Sequence, residues 1–337
     1  MMPKERLLNA LYGKSIDRIP TFCSGCSQTV TVECMEATGL YWPDAHKDPV
    51  KMAKLSASVY DLTGLEVAGV PYCLSVEAEA LGCQIMWSEE IDATPQVLRT
   101  PYKTPGEIEI PSDFLNLKRV PVILKAVDIL KKNVGNKLPI VAGVTGPFSL
   151  AGHLLGIENL LKSVITDPKK VHEAVDKASE AGSAFGKALR EIGADVVLIA
   201  DPSASSNLIS PKTFKEFVKP AIVRTAEAIG GVTFLHICGN ANPILAEMAE
   251  TGVSAISIDE NVDVRKAKAL LGEKVKIAGN ISTTNTLLLK KPDDVKEACR
   301  QALEAGVDIL APGCGIAPRT PNANIKALVE TARQFQI

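Results

Sequence analysis

The sequence is poor in aromatic residues and almost balanced in charge. Phe, Trp and Tyr make up 4% of the 337 residues, and 37 Lys and Arg against 39 Asp and Glu give a formal net charge of −2. So few aromatic side chains argue against a base-stacking surface, and the balanced charge supplies no general field for phosphate backbones or anionic membranes. We therefore expect neither nucleic acid nor a membrane as a partner.

Long hydrophobic runs are also missing. No unbroken apolar run reaches the roughly 18 residues that a spanning helix needs, and the most apolar stretch, PIVAGVTGPFSLAGHLLGI, is interrupted by Gly and Pro. The opening MMPKERLLNALYG predicts an amphipathic helix rather than a basic-then-apolar leader. We therefore expect a cytoplasmic protein, in which the eight cysteines are core thiols, metal ligands or reactive groups rather than disulfides.

Short apolar runs alternate with helical segments along the chain. Continuous apolar, β-branched runs are typical of parallel strands buried on both faces, and PKKVHEAVDKASEAGSAFGKALREIG and PDDVKEACRQALEAG have helical spacing. The runs cover residues 19–24, 65–70, 140–146, 196–201, 232–238, 255–259, 275–280 and 308–314. About eight strand–helix units predict an α/β fold, a (β/α)₈ TIM barrel in one domain over residues 1–337.

The main alternative is an open, doubly wound sheet. That fold predicts a glycine-rich phosphate loop after an early strand, and the sequence has none. Two additions to the barrel are expected. One is an N-terminal helical extension, and the other is a β-hairpin formed by EALGCQIMWSEE (79–90) and TPQVLRTPY (94–102), inserted beside the barrel mouth.

Three potential metal ligands lie at predicted strand ends. His236 and Cys238 stand at i and i+2 in VTFLHICGN, so they share a strand face, and Cys314 ends the eighth run. The carboxyl ends of barrel strands form one functional face, where the three side chains can converge. His and thiolate donors suit Zn²⁺, and three protein ligands leave the open fourth position of a catalytic site. The alternative is that all three are ordinary core residues, because both types are often buried.

The charge of this ligand set indicates its chemistry. Two thiolates cancel the charge of Zn²⁺, so a substrate thiolate in the fourth position stays electron-rich and nucleophilic while its proton is held off. Three neutral His would leave a more Lewis-acidic cation that favours the activation of water. The donor set therefore favours alkylation of a thiol over hydrolysis.

Motifs along nearly the whole chain resemble those of a known family. They are DRIP (17–20), ADPSAS (200–205), LHICGN (235–240), AGNIS (278–282) and APGCGIAPRTPNANIKALVE (311–330). They resemble the uroporphyrinogen decarboxylase superfamily and, within it, the zinc-dependent methylcobamide:coenzyme M methyltransferases, to which the HxC motif with a late Cys is specific. A decarboxylase is expected to carry an arginine-rich N-terminal segment that grips carboxylates, whereas RIPTFCSGCSQTVT has one Arg.

The resemblance implies a methyl transfer in methanogenesis from methanol or methylamines. A small corrinoid protein would present a methylcobamide at the barrel mouth, and zinc on His236, Cys238 and Cys314 would bind coenzyme M as a thiolate. The sulfur would attack the methyl carbon, giving methyl-coenzyme M and Co(I) corrinoid. Two alternatives stay open: a decarboxylase of the uroporphyrinogen type, and a zinc-free corrinoid-to-pterin methyltransferase.

Five further residues at or near predicted strand ends are candidates for the site. Asp259 or Glu260 could supply a displaceable fourth ligand or take the thiol proton, or be ordinary loop acids. Asp201 resembles a family carboxylate that faces the cavity and could hold a substrate group or orient the corrinoid, although Asp is also a good capping residue. Asn280 could bind a sulfonate near the seventh and eighth strands, and Arg319 could reach the same group or pair with a surface acid.

The remaining cysteines and histidines are expected to be structural. Cys23 and Cys26 form a C-x-x-C motif, which could be a redox pair or supply further metal ligands, but we favour core thiols because no thioredoxin-like context surrounds it. His46 is placed in a polar loop without a partner. The predicted core thiols are Cys34, Cys73, Cys83 and Cys299.

Overall fold

The computed structural model describes residues 1–23 and 28–336, and parallel strands form its centre. In chain order the strands are β1 (Ala68–Val70), β2 (Gln84–Met86), β3 (Gln96–Arg99), β4 (Ile140–Thr145), β5 (Val196–Ala200), β6 (Thr233–His236), β7 (Ala255–Ser257), β8 (Lys276–Ile281) and β9 (Ile309–Pro312). Seven of them form one curled parallel sheet in the order β1-β4-β5-β6-β7-β8-β9. Thr21 adds an isolated parallel bridge to Leu310 beside β9. The predicted (β/α)₈ barrel is confirmed, with its first strand reduced to this bridge.

Helices surround the sheet and follow most of its strands. They are α1 (Pro3–Leu11), α2 (Val32–Thr38), α3 (Pro49–Thr63), α4 (Val76–Ala80), α5 (Val120–Asn133), α6 (Pro147–Leu155), α7 (Ile157–Thr166), α8 (Pro168–Ile192), α9 (Pro211–Thr213), α10 (Lys219–Ile229), α11 (Leu245–Ala249), α12 (Val264–Leu271), α13 (Pro292–Ala305) and α14 (Asn322–Gln334). None of the helices within the described ranges is both long and apolar enough to cross a membrane.

Burial of the strands explains their composition. Every residue of β4 (IVAGVT) and β5 (VVLIA) is buried, because one face of each strand looks into the barrel and the other packs under helices. The hydrophobic core therefore runs through the barrel and the layer beneath the helices. The long α8 ends at Gly193, the stop that the sequence predicted.

An ion-pair network joins the N-terminal segment to the start of β1. The Glu66 carboxylate, 2% exposed, accepts hydrogen bonds from the guanidinium groups of Arg6 (2.6 Å) and Arg18 (2.5 Å) and from the Thr21 backbone N–H (3.3 Å). Asp17 pairs with the same Arg6 guanidinium at 2.6 Å. Because Thr21 lies beside β9 and Glu66 precedes β1, this network links the two edges of the sheet. The Asp and Arg of the DRIP motif thus close the barrel.

The inserted hairpin lies beside the mouth of the barrel. β2 and β3 pair in antiparallel register, with Ile85 opposite Val97. Trp87, just after β2, lies under the cations of Lys47 and Arg119, whose charged groups are 4.0 and 4.8 Å from the ring centroid. The predicted N-terminal helical extension is also present, because α1 precedes the Thr21 bridge that stands for the first strand.

Candidate metal centre

The three predicted ligands meet across the mouth of the barrel. His236 is the last residue of β6, Cys238 follows two residues later, and Cys314 lies two residues beyond β9. β7 and β8 separate β6 from β9 in the sheet, and the curl of the sheet brings the two loops together. One ring nitrogen of His236 and the sulfurs of Cys238 and Cys314 all lie within 4.8 Å of one another.

One side of the His236 imidazole has a fixed partner and the other has none. His236 is fully buried, and its Nδ1 lies 2.9 Å from the Ser257 hydroxyl on β7, the residue that pairs with it in the sheet. Its Nε2 is buried and has no hydrogen-bond partner among the residues that the structure describes. An unsatisfied buried polar atom costs about 1–3 kcal/mol, so this orphaned nitrogen fits a metal ligand. With a metal on Nε2, Nδ1–H donates to Ser257 and fixes the tautomer.

The two thiols are only partly buried and face each other. A hydrogen bond with the Cys314 thiol and then burial are the main causes that raise the pKa of the Cys238 thiol, because both favour the neutral form. A divalent cation reverses this preference, since it deprotonates a coordinating thiol outright. One imidazole and two thiols are donors that suit Zn²⁺. The site therefore has the residues and the orphaned acceptor that a zinc ion requires.

Glycines next to both cysteines allow the loops to approach. Gly239 has a φ of 82°, and a Cβ there would lie 2.7 Å from Ser205 Oγ. A Cβ at Gly313 would lie 2.8 Å from Asp259 Cα. Because both added carbons would meet neighbouring atoms closer than real Cβ contacts come, a side chain at either position would displace a cysteine-bearing loop.

Asp259 stabilises these loops and is not part of the ligand cluster. Its carboxylate, 5% exposed, accepts hydrogen bonds from the Gly239 backbone N–H and from the Asn261 backbone N–H, the latter at 2.9 Å. The group of candidate ligands contains neither Asp259 nor Glu260. The observed contacts give Asp259 a positioning role, and its role as a fourth ligand or proton acceptor stays a prediction.

Glu260 and Asn280 line a cavity that is separate from the cluster of candidate metal ligands. Glu260 is exposed and accepts a hydrogen bond from Ser282 Oγ at 2.7 Å, and Asn280 Nδ2 donates to the Val262 carbonyl at 3.0 Å. Both lie with residues of α12 and α13 around a cavity of about 270 Å³, which none of the three candidate metal ligands lines. A proton-transfer role for Glu260 and a sulfonate-binding role for Asn280 remain untested predictions.

Arg319 pairs with an acid of the hairpin region. The side chain is 64% exposed, and its Nε donates to the Asp92 carboxylate, between β2 and β3. This is the surface pairing that the sequence left open as the alternative to sulfonate binding.

The Asp201 carboxylate binds the N-terminal end of α6, a contact that the sequence did not predict. Its fully buried carboxylate accepts hydrogen bonds from the backbone N–H groups of Phe148 (3.0 Å) and Ser149 (2.8 Å) at the start of α6, and from Ser149 Oγ (2.7 Å). Burial raises the pKa of this carboxyl, and the hydrogen bonds only partly oppose that rise. A Cβ at Gly146 would overlap the Asp201 side chain. These contacts place the carboxylate against a helix end, so its proposed hold on a substrate or corrinoid stays a prediction.

Sequence reasoning missed Ser257 and misjudged His46. Ser257 contacts His236 only through the register of β6 and β7, which no motif encodes. His46 was expected in a polar loop, but it is fully buried, with its ring packed against Trp42 and Tyr72. Cys23 is buried, whereas Cys26, the other half of the C-x-x-C motif, lies outside the described residues. The four predicted core thiols are all buried: Cys34, Cys73, Cys83 and Cys299.

Comparisons with known proteins agree with the resemblance over the whole chain. The family model described as uroporphyrinogen decarboxylase (URO-D) matches residues 2–335. Methylcobamide:CoM methyltransferase MtaA from Methanosarcina barkeri is 42% identical over 334 residues, which cover 98% of this chain and 98% of the relative. Methylcobamide:CoM methyltransferase MtbA from Methanosarcina acetivorans is 38% identical over 338 residues, with 99% and 98% covered.

A solved structure extends the agreement to three dimensions. A methyltransferase from Methanosarcina mazei superposes with a TM-score of 0.95 at 41% identity, and the match covers 99% of both chains. The resemblance inferred from the motifs is thus confirmed. The chain belongs to the uroporphyrinogen decarboxylase (URO-D) family, in which its full-length relatives at 38–42% identity are methyltransferases.

Proposed function

We propose that the protein transfers a methyl group from a methylated corrinoid protein to the thiol of coenzyme M, at a zinc ion held by His236, Cys238 and Cys314. The observation that carries the proposal is the convergence of these three donors within 4.8 Å, with a buried, unpartnered Nε2 on His236. The names of the full-length relatives, which specify methylcobamide and CoM, support the same reaction.

Each ligand contributes a distinct property to this site. His236 presents Nε2 while its Nδ1–H is fixed on Ser257, so the imidazole does not have to reorient. Cys238 and Cys314 bring two negative charges as thiolates, which neutralise a divalent cation. Zinc, when bound, supplies the positive charge that keeps a substrate thiol deprotonated at neutral pH.

The methyl transfer itself is a displacement at carbon. The thiolate sulfur of coenzyme M attacks the methyl carbon, and the carbon–cobalt bond breaks with its electron pair remaining on cobalt. The protein has to hold the sulfur electron-rich, and the two anionic thiolates of the ligand set do so better than neutral ligands would. It also has to leave the barrel mouth accessible to the corrinoid protein, and both cysteines are partly exposed there.

The decarboxylase alternative needs positively charged groups free to grip several carboxylates. The arginines of the matching N- and C-terminal motifs are already paired, Arg18 with Glu66 and Arg319 with Asp92. We therefore rank decarboxylation below methyl transfer.

An assay with a panel of thiols tests the proposal. Purified, zinc-loaded protein is mixed with methylcobalamin and either coenzyme M, homocysteine or no thiol, and methylated products are identified by mass spectrometry. We expect methyl-coenzyme M as the main product, together with Co(I) corrinoid, and loss of activity on chelation that zinc restores. Methylation of homocysteine alone would contradict the assignment of the thiol, and activity unaffected by complete removal of zinc would overturn the mechanism.

A further inference from the structure

A second polar cluster lies near the barrel mouth, between the end of β1 and the start of α5. Its centre is Cys73, three residues after β1 and 7% exposed. Arg119, 4% exposed and directly before α5, donates from Nη1 to the Cys73 sulfur at 3.3 Å, and Ser75 Oγ donates to the same sulfur at 3.4 Å. A neutral thiol is a weak acceptor, whereas a thiolate accepts strongly. Two donors on one buried sulfur therefore fit a thiolate.

A buried histidine acts on the same sulfur. His46 is fully buried, and within the described part of the chain neither of its ring nitrogens has a hydrogen-bond partner of regular geometry, yet the ring is close enough to stabilise the anionic form of Cys73. Burial raises the pKa of the Cys73 thiol, but Arg119, His46 and Ser75 outweigh burial and lower it to about 5. The geometry and the direction of the shift agree.

Neighbouring acids do not cancel this preference. Glu79 pairs with Arg119 at 2.5 Å. Glu77, fully buried, accepts hydrogen bonds from the backbone N–H (2.6 Å) and hydroxyl (3.0 Å) of Thr145, and burial raises its pKa, which favours its neutral form. His153 lines the same cavity as Cys73. Burial lowers the pKa of His153 to about 4, so this ring adds no charge at neutral pH.

The Cys73 sulfur adjoins a cavity large enough for a small molecule. The cavity has a volume of about 360 Å³ and is lined by Gln28, Cys73, Leu74, Ser75, Thr94, Pro95, Gln96, Val97 and His153. It adjoins the loop that carries Cys314, because Gln28 Nε2 donates to the Ile316 carbonyl at 3.1 Å. Its size lies in the range of small-molecule sites.

We propose that Cys73 is a thiolate nucleophile that exchanges with small disulfides entering this cavity. The Cys73 sulfur attacks one sulfur of the disulfide, a new S–S bond to Cys73 forms as the original S–S bond breaks, and the other half leaves as a thiolate. No external oxidant or reductant is needed, because the incoming disulfide supplies the oxidising equivalent. Cys73 is thus a modification site separate from the three candidate metal ligands, where a mixed disulfide would fill the cavity beside the Cys314 loop.

The chain provides a matched control in Cys83. This thiol is 5% exposed, similar to Cys73, and donates to the carbonyl of His153, a residue of the same cavity. No cation among the described residues lowers its pKa, and burial raises that pKa to about 12. The exposed fractions of the two residues are therefore similar while their electrostatic settings are opposite, and of the two only Cys73 lines the cavity.

The experiment treats the folded, full-length protein with 2-hydroxyethyl disulfide at pH 6 and pH 8 and maps adducts by peptide mass. We expect an adduct at Cys73, none at Cys83, and a rate at Cys73 that changes less than about twofold between the two pH values. An ordinary thiol would react nearly 100-fold faster at pH 8, because its thiolate fraction rises with pH. An unmodified Cys73, or a rate with that steep dependence, overturns the proposal.

Variants separate thiolate stabilisation from simple exposure. Cys73→Ser should abolish the adduct, and Arg119→Gln should convert the flat pH dependence at Cys73 into a steep one. If Arg119→Gln does not fold, His46→Asn serves the same purpose, with a smaller shift in the same direction. Unchanged labelling of Cys73 in a folded Arg119→Gln protein would contradict the assignment. Zinc content and methyl transfer are not readouts here, so this test stands or falls independently of the proposed function.

Discussion

The barrel mouth holds cysteines in two opposite electrostatic settings. Around Cys238 the nearest groups are the Cys314 thiol and the His236 imidazole, and the pKa of Cys238 is raised. Around Cys73 a guanidinium is 3.3 Å from the sulfur, and the pKa falls to about 5. The Cys238 thiol needs an external cation to favour its thiolate form, whereas the Cys73 thiol already has the Arg119 guanidinium beside it. Burial alone does not decide the state of a thiol; the nearest positive charge does.

The largest expected effect, on zinc content and on the rate of methyl transfer, comes from removing Cys238. Cys238→Ala should lose zinc and lower the rate of methyl transfer at least about 100-fold, because two ligands cannot hold a catalytic zinc. The matched control is Cys299→Ala, which removes a buried thiol inside α13. Zinc content per chain and the rate with methylcobalamin are measured for both. Comparable loss of zinc in the two variants would mean that the effect is not local.

A smaller effect, on zinc affinity, is expected from replacing Ser257, the hydrogen-bond partner of His236 Nδ1. Ser257→Ala removes the hydroxyl that fixes Nδ1, so zinc affinity should fall about 10- to 100-fold while the fold is kept. Competition with a zinc chelator measures this affinity. Ser254→Ala, on the residue that precedes β7, is the control and should leave affinity unchanged. An unchanged affinity in Ser257→Ala would remove the positioning role.

The pH dependence of the free energy of unfolding tests the second setting, the one around Cys73. The folded pKa of Cys73 is lowered from an ordinary value near 9 to about 5. A lowered pKa contributes stability that is fully present above the unfolded pKa and is lost as pH falls through the folded pKa. The stability advantage of the wild type over Cys73→Ser should therefore shrink from pH 9 to pH 5 and be constant below that. Urea denaturation in reducing buffer at several pH values measures it. A difference independent of pH contradicts a stabilised thiolate.

The smallest effect is expected at Arg319. The exposed pair with Asp92 should contribute at most about 1 kcal/mol to the free energy of unfolding. If Arg319 also binds the sulfonate of coenzyme M, as the sequence allowed, Arg319→Ala raises KM for coenzyme M several-fold, while Asp92→Ala does not. Equal KM values in both variants would restrict Arg319 to the surface pair.

The sequence predicted the metal ligands because their convergence follows from local rules. His236 and Cys238 share a face by strand alternation, and the ends of parallel barrel strands meet on one side. The barrel itself followed from repeated apolar runs. Its first strand was overestimated most, because the segment around Thr21 forms one bridge rather than a ladder.

The contacts that the sequence could not predict all join residues far apart in the chain. Asp201 holds the start of α6 more than 50 residues earlier, and Arg119 reaches Cys73 across 46 residues. Such pairings depend on register and helix placement, which periodicity does not fix. Asn280 was placed at the correct strand end, but its contact with Val262 and its position beside α13 depend on the helix layer.

X-ray absorption at the zinc edge tests the central claim most directly. The account predicts one zinc per chain with one nitrogen at about 2.0–2.1 Å and two sulfurs at about 2.3 Å, and a third sulfur after coenzyme M is added. A zinc environment without sulfur, or a sulfur count that coenzyme M leaves unchanged, would contradict it.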